Sequence, residues 1–531
     1  MSGERPGWPA VLARATGIVA LLLVMALLLV WSSLGKRLFY DEYDNLAYGE
    51  RLLSRGIAPP ANGQRMPILA LNALACGASG CRVRELEVNE PARFLVRLPS
   101  LAFSLLLGLV VYGWASELFG PRSGFLALAL FVLDPTALAH GKQLTSDMAT
   151  AFFSLLAAWS FWRLLRGRGR AATNLVACAA ATALALVSKY TAVLLLPAFA
   201  LLLLAEAVGR RRDGRFDTKR LRERLRQAAA FVLLVLLLVN AAYLFQGSLT
   251  PASAYGWQSR GLQFLRSVPL PLPLPRVFVL GLDRSSQIQE VFEPTRGYNY
   301  LLGRLSPHGT WYAFPLMILL KTPLALFPLL ALAFWRRRAV SGEPPPDGAF
   351  LAVPFAVLLA FFSLLAEPQL GIRYLLPGLP LLTIYASAAA SGELSRRGRA
   401  TTLLLVAWYA SSTLSFFPHP MSHFNELIGR RIDAWRFLAD SNLDWEDRSR
   451  DIARYQARHP ERPLVIDPRR PAAGWVLVPA NDLVGIRDPE LYRWLRENFT
   501  PVDHVGYSQL LFRVPEERLR EVMARGRTRT P

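Results

Sequence analysis

Apolar residues in this chain come in long runs rather than in alternation. Residues 17–34, 94–117, 123–139, 145–163, 172–188, 190–208, 228–246, 313–335, 349–366, 374–391 and 401–416 are dominated by Leu, Ala, Val and Phe. A helix rises about 1.5 Å per residue, so each run approaches the roughly 30 Å of a bilayer's hydrocarbon core. The pattern predicts an all-α polytopic membrane protein with about eleven transmembrane helices. Arg5 and Arg14 precede the first run, and no small-residue cleavage site follows it, which reads as a retained signal anchor with a cytoplasmic N-terminus.

From about residue 417 the hydropathy falls, and short β-like runs at 463–466, 474–478 and 509–514 alternate with candidate helices at 444–458 and 489–498. This predicts two units: a transmembrane domain over 1–416 and a small soluble α/β domain over 417–531.

Charge fixes the orientation. With the N-terminus inside, the segments holding Arg122, Arg163 to Arg170, Arg210 to Arg226, Arg336 to Arg338 and Arg396 to Arg399 all fall on the cytoplasmic side. The odd number of spans puts the tail outside, together with a first outer loop over 35–92, a large outer loop over 247–312 and two short turns at 134–147 and 367–373. The net charge of +21 in 531 residues does not point to nucleic acid, because the Lys and Arg residues concentrate in short inter-span loops.

The outer face carries the candidate chemistry. Tyr40-Asp41-Glu42-Tyr43-Asp44 lies just past the first span, and Asp134 and Asp147 bracket a short turn that also holds His140 and Lys142. Lys189 sits in the turn SKYT, Arg373 in LGIRYLLPG, and Lys321 about 12 Å below the outer surface, where an ammonium is costly without an anion or a wet cavity. Arg93 and Arg97 open the second span, where snorkelling to the interface is expected. Carboxylates above cations suit a lipid phosphate whose chain enters the bilayer while an acid works on its head group. A transporter or flippase is the competing class, but those place binding residues near the midplane and often carry internal repeats, and here the acids gather at one surface.

The motifs FYDEYDN, RLPS followed by LFGPRSG, DPTALAHGKQLTSDM, LVSKYTAVLLLP, YLLGRLSPHGTWYAFPLMILLKTP, GIRYLLP, and HFNELIG followed by DSNLDW occur in that order between Tyr40 and Trp445. Together they resemble the phospholipid carrier-dependent glycosyltransferases, relatives of the dolichyl-phosphate-mannose protein mannosyltransferases and the bacterial lipid A aminoarabinose transferase. The resemblance implies a C-type glycosyltransferase fold that moves a sugar from a polyprenyl phosphate to a hydroxyl of a protein, lipid or glycan on the outer face, with inversion. It also implies roles for single residues. Asp41 matches the acid of the family's Asp-Glu pair, which acts as base or orients the acceptor, and Glu42 matches its partner. Asp147 matches the acid of the second outer loop, and Lys189 the lysine that approaches the carrier phosphate. Lys321 and Arg373 join the expected phosphate site, and Asp44, Asp134, His140, Lys142, Tyr298 and Tyr300 are expected acceptor or sugar contacts.

Two positions depart from the family pattern. Tyr43-Asp44 stands where the protein mannosyltransferases place a histidine and an aromatic residue, and Glu446-Asp447 stands where Gly-Gln is expected. With no β-trefoil insertion in view, a bacterial inner-membrane enzyme is expected, and its acceptor stays open. No cofactor is required by this chemistry. Asp41, Glu42, Asp147 and His140 could offer ligands to a divalent metal, but no tight ligand spacing occurs. Cys76 and Cys81 in CGASGC are expected to form a small-loop disulfide outside, and Cys178 to pack within a span.

Overall fold

The computed structural model describes residues 8–55, 66–78, 86, 89–212, 217–291, 297–341 and 347–527. The expected apolar runs are helical, most as one main helix and some divided between shorter ones. In chain order these are α1 (Trp8–Ser33), then α2 (Tyr40–Arg55) and α3 (Ala70–Ala78) on the first outer loop, then α4 (Glu90–Phe119), α5 (Pro121–Val132) and the short α6 (Pro135–His140). They continue as α7 (Asp147–Leu165), α8 (Ala171–Leu186), α9 (Leu195–Arg212), α10 (Thr218–Ala242), α11 (Arg276–Glu290), α12 (Ala313–Lys321), α13 (Leu326–Ser341), α14 (Gly348–Leu364), α15 (Leu379–Ala386) and α16 (Arg396–Leu414). Among the described residues five helices are long and apolar enough to cross a membrane, or six when α12 and α13 count as one span bent by 99°. The bend has a local cause: the residue before a proline is driven out of the α region, and Thr322, before Pro323, is extended at φ −96° and ψ 136°.

Burial separates the centre of the bundle from its rim. The apolar window of α7 is 78% buried and that of α10 only 17%, so α7 is the hub and α10 offers its leucines to lipid. α7 packs along α8 and α4, and α9 packs against α14. The N-terminal end of α7, which begins at Asp147, lies where several inter-helix connections meet.

The described part of the connection between α1 and α4 is largely helical. α2 buries Leu46 and Tyr48 against Leu69 and Ala73 from the α3 segment and Val96 of α4. The Pro-rich stretch after Val268 is extended, as expected, and bridges back to Pro251. The chain then forms α11 and a hairpin of β1 (Asn299–Leu301) and β2 (Arg304–Ser306), with Tyr300 opposite Leu305.

The tail folds as α/β. After α17 (Ser449–Arg458), β3 (Leu464–Ile466), β4 (Gly474–Pro479), β5 (Asp503–Val505) and β6 (Gln509–Val514) form one sheet in the order β3-β4-β6-β5, with β3 and β4 parallel and the other pairs antiparallel. Strand alternation divides its side chains. Val476, Val478, Leu510 and Phe512 join the main core of the bundle, while Leu477, Leu511 and Val505 pack under Ile452 and Tyr455 of α17. The tail is thus a continuation of the bundle's core. Cys76 is disulfide-bonded, and its expected partner Cys81 lies outside the described residues. Cys178 is free and buried in α8, as expected.

Candidate active site

Five connecting segments of the bundle and one tail segment line a cavity of about 130 Å³. One wall is the first turn of α2, where Asp41, Asp44 and Asn45 face inward. On a helix, positions i, i+3 and i+4 share a face, so the neighbouring Glu42 turns about 100° away. Glu42 is fully buried and all its capacity is used: Arg97 donates through Nε and Nη2 at 3.2 and 2.8 Å, Leu144 N at 2.8 Å and Phe39 N at 3.2 Å. The Asn45 amide donates to the Leu144 carbonyl at 3.0 Å. α2 is therefore pinned to the turn before α7 through both backbone groups of Leu144.

The opposite wall is cationic. The Lys189 ammonium lies 2.5 Å from Asp147 Oδ1, and Arg373 Nη1 lies 3.5 Å from Asp147 Oδ2. Lys189 is held at the cavity because the chain breaks between α8 and α9. It is extended at φ −161° and is followed by a 3-10 turn over Tyr190–Leu194. Pro197, in the first turn of α9, suits a helix start because no intrahelical bond needs its missing N–H. α11 closes the third side with Ser285, Ile288 and Gln289. It approaches the SKYT turn at Gly281, where any Cβ would collide with the Tyr190 hydroxyl. Two buried polar atoms at the cavity lack hydrogen-bond partners among the described residues, Arg373 Nε and Gln289 Oε1. Such atoms are costly unless a ligand or water satisfies them.

An apolar cleft adjoins the cavity. Thr191 lines both, and beyond it Leu155, Ala158, Leu195, Ala198, Leu358 and Leu381 form a cleft of about 30 Å³ between α7, α9, α14 and α15. A charged chamber that shares a wall residue with a greasy slot suits a ligand with an ionic head and a hydrocarbon chain.

The structure relocates seven expected site residues. Glu42 braces α2, as described. Lys321 does not reach the cavity: its three protons go to the carbonyls of Met421, His423 and Asn442 at 2.8, 2.5 and 2.5 Å, with the Phe424 ring 4.4 Å away. Asp134 caps α6 by accepting from Ala137 N at 2.7 Å and accepts from Tyr409 Oη at 3.3 Å. His140 is buried beside Gln143, 3.0 Å from its side-chain oxygen, and burial pushes its pKa down to about 4. Lys142 donates to the Ser32 carbonyl at 2.8 Å and pairs with Glu446 at 2.6 Å. Tyr298 and Tyr300 belong to the strand region that hydrogen-bonds the tail at Ile486 and pairs within the hairpin. Arg93 does not snorkel either, since it is buried and donates to the Leu86 carbonyl at 3.0 Å.

Several of these residues form one interlocking support. Asn425 satisfies the C-terminal carbonyls of α12, donating from its backbone to Leu320 and from its side chain to Leu319 and Thr322. Asn442 accepts from Ile372 N at 3.0 Å, and Ser441 Oγ donates to the Leu370 carbonyl at 3.0 Å, which fixes the turn that carries Arg373. The motifs LKTP, HFNELIG, GIRY and DSNLDW thus describe a single clamp. Among the described residues, no three His, Cys, Asp or Glu side chains are grouped so as to hold a metal ion.

The sequence reading missed Ser285, Gln289 and Trp445 as cavity residues. The first two recur at i and i+4 with Ile288 between them in an amphipathic segment, a signal too common to single out. Trp445 ends a motif already noted, but only the folded tail brings it to the site.

Residues 87–243 match the family model for Dolichyl-phosphate-mannose-protein mannosyltransferase, a stretch that includes Arg97, Asp147 and Lys189. No curated protein matches the chain by sequence. Among solved structures, ArnT from Cupriavidus metallidurans bound to undecaprenyl phosphate is similar with a TM-score of 0.51 and 16% identity, over 94% of this chain and 98% of that one. The archaeal oligosaccharyltransferase AglB from Archaeoglobus fulgidus, in complex with an inhibitory peptide and a dolichol-phosphate, matches with a TM-score of 0.51 and 12% identity, over 81% of this chain and 58% of that one. The motif resemblance to the phospholipid carrier-dependent glycosyltransferases is therefore borne out in the C-type glycosyltransferase fold and, over residues 87–243, in the mannosyltransferase family match.

Proposed function

We propose that this protein transfers a sugar from a polyprenyl-phosphate donor to a hydroxyl acceptor at the outer face of a bacterial inner membrane, with inversion. One observation carries the reading: a cavity with carboxylates on one wall and Lys189 and Arg373 on the other shares Thr191 with an adjoining apolar cleft. The cleft takes the prenyl chain, the two cations take its phosphate, and the sugar lies toward α2.

Each group then has a task. The acceptor hydroxyl attacks the anomeric carbon on the face opposite the phosphate while Asp41 takes its proton. The bond from the anomeric carbon to the phosphate oxygen breaks, and Lys189 and Arg373 neutralise the charge that develops on that oxygen. Asp147 holds both cations before the donor arrives. Gln289 Oε1 can accept from a sugar or acceptor hydroxyl. This scheme needs no resident metal or cofactor, because protein cations meet the leaving phosphate directly.

The orientation follows the charge pattern, with the N-terminus cytoplasmic, about eleven spans, and the tail outside. The acceptor class, whether protein, lipid or glycan, depends on what approaches the α2 and α11 walls. The test is release of free polyprenyl phosphate from radiolabelled polyprenyl-phosphate sugars by purified protein in liposomes with envelope extract as acceptor. Release supports the reading. No release from any common donor returns the protein to the transporter class.

A further inference from the structure

The tail places one aromatic residue in the cavity wall that the transfer scheme does not use. Trp445 lies with its ring centroid 3.9 Å from the Arg373 guanidinium carbon, while the Tyr374 ring stands farther off at 5.3 Å. Arg373 has few other holds: its Nε lacks a partner, and its contact to Asp147 is long at 3.5 Å. Trp445 itself is fixed from two outer connections. Its ring packs 4.6 Å from Phe39, after α1, and its carbonyl accepts from Gln143 Nε2 at 3.3 Å, before α7.

The next residue anchors it further. The Glu446 carboxylate lies 2.6 Å from Lys142, 3.6 Å from Lys36 and 3.3 Å from Arg448, in a buried ion cluster. Lys36 belongs to the first outer connection, Lys142 to the second, and Arg448 to the tail. Burial alone would raise the Glu446 carboxyl, but Lys142, Arg448 and Lys36 hold it well below the usual carboxylate range. The acid at this position, where glycine was expected, thus ties the Trp445 backbone to both loops that build the site.

We propose that Trp445 is a positioning residue that orients the Arg373 guanidinium toward the donor phosphate, so that the tail completes the phosphate site. This rests on the reading of the cavity as a prenyl-phosphate site. A guanidinium stacked on an indole gains cation–π energy and loses rotational freedom while its N–H edge stays open to an anion. Without the ring, Arg373 keeps the long contact to Asp147 and the more distant Tyr374 ring, and bends toward that carboxylate, away from the phosphate.

The experiment is a double-mutant cycle on undecaprenyl phosphate affinity, measured by native mass spectrometry of the full chain in detergent. Trp445→Ala is expected to weaken binding about tenfold to thirtyfold, the scale of a desolvated cation–π contact, and Trp445→Phe to stay within about threefold of the native protein. In an Arg373→Ala background, adding Trp445→Ala is expected to change affinity less than about twofold, because the ring acts through the missing cation. If Trp445→Ala does not fold, Trp445→Leu fills the same wall without a ring and replaces it in the cycle. Equal losses with and without Arg373, or no loss in the ring-less variant, overturn the proposal and leave the functional reading standing. A native protein that does not bind undecaprenyl phosphate overturns both.

Discussion

The Arg97 guanidinium meets the Glu42 carboxylate through two hydrogen bonds, at 3.2 and 2.8 Å, in a pocket where both side chains are almost wholly excluded from solvent. Glu42 also takes the Leu144 N–H at 2.8 Å, so one buried carboxylate joins α2, α4 and the turn before α7. Removing one partner strands the other charge, which costs about 3–5 kcal/mol in buried pairs. Glu42→Ala and Arg97→Ala should therefore lower the thermal unfolding midpoint in detergent together with activity. A Glu42→Ala protein of native thermal stability and no turnover would instead return Glu42 to the reacting groups.

Lys189 and Arg373 are expected to serve the donor and not the acceptor. Lys189→Ala removes one charged hydrogen bond to the phosphate, worth about 1.5–3 kcal/mol, and should weaken donor binding roughly tenfold to a hundredfold. Titration of the donor at saturating acceptor checks this. An unchanged donor affinity removes Lys189 from the phosphate site.

Lys321 gives a contrasting expectation. Its ammonium holds three tail carbonyls, from Met421, His423 and Asn442, so Lys321→Met leaves those acceptors buried and unpaired. The tail should then be released to protease at the segment after α16, before any loss of intrinsic donor affinity in the intact fraction. Limited proteolysis with and without the substitution reads this directly. A Lys321→Met protein with native protease resistance and a selective donor defect would contradict the clamp role.

Acid should loosen the outer side of the molecule. Burial lowers the pKa of His140 to about 4 and, with Lys321 nearby, that of His423 to about 3. His419 is also lowered, by burial and then by Arg448 and Lys36. In the unfolded chain these rings take up protons near pH 6.5, so below that pH the unfolded state binds more protons than the native one. Stability is then expected to fall steadily from about pH 6.5 toward pH 4. Unfolding midpoints at pH 7 and pH 5 test the sign, and His419→Gln should make the decline shallower. A midpoint that does not fall on acidification would contradict the buried, neutral histidines.

The helical runs, the α/β tail and the cluster of Asp41, Asp147, Lys189 and Arg373 were all legible in the sequence, because apolar length and motif order are properties of short stretches. Glu42 lies off the cavity for a geometric reason. Neighbours in a loop look like a pair, but on the first turn of α2 they diverge by about 100°, and Asp44 rather than Glu42 shares the face of Asp41. The depth of Lys321 in a span can be counted from sequence, whereas the tail that folds back to meet its ammonium cannot. Trp445 lies 72 positions after Arg373 in the chain and touches it only through that same return.

The most direct measurement compares native protein and Asp41→Asn for release of free polyprenyl phosphate from a radiolabelled donor, with acceptor present, after matched thermal unfolding curves show both are folded. The change is nearly isosteric at a half-buried position, so the fold should be kept while the proton acceptor is lost. The account predicts release by the native protein and a loss of at least about a hundredfold in the variant, the scale of a missing general base. Equal release by both would contradict it.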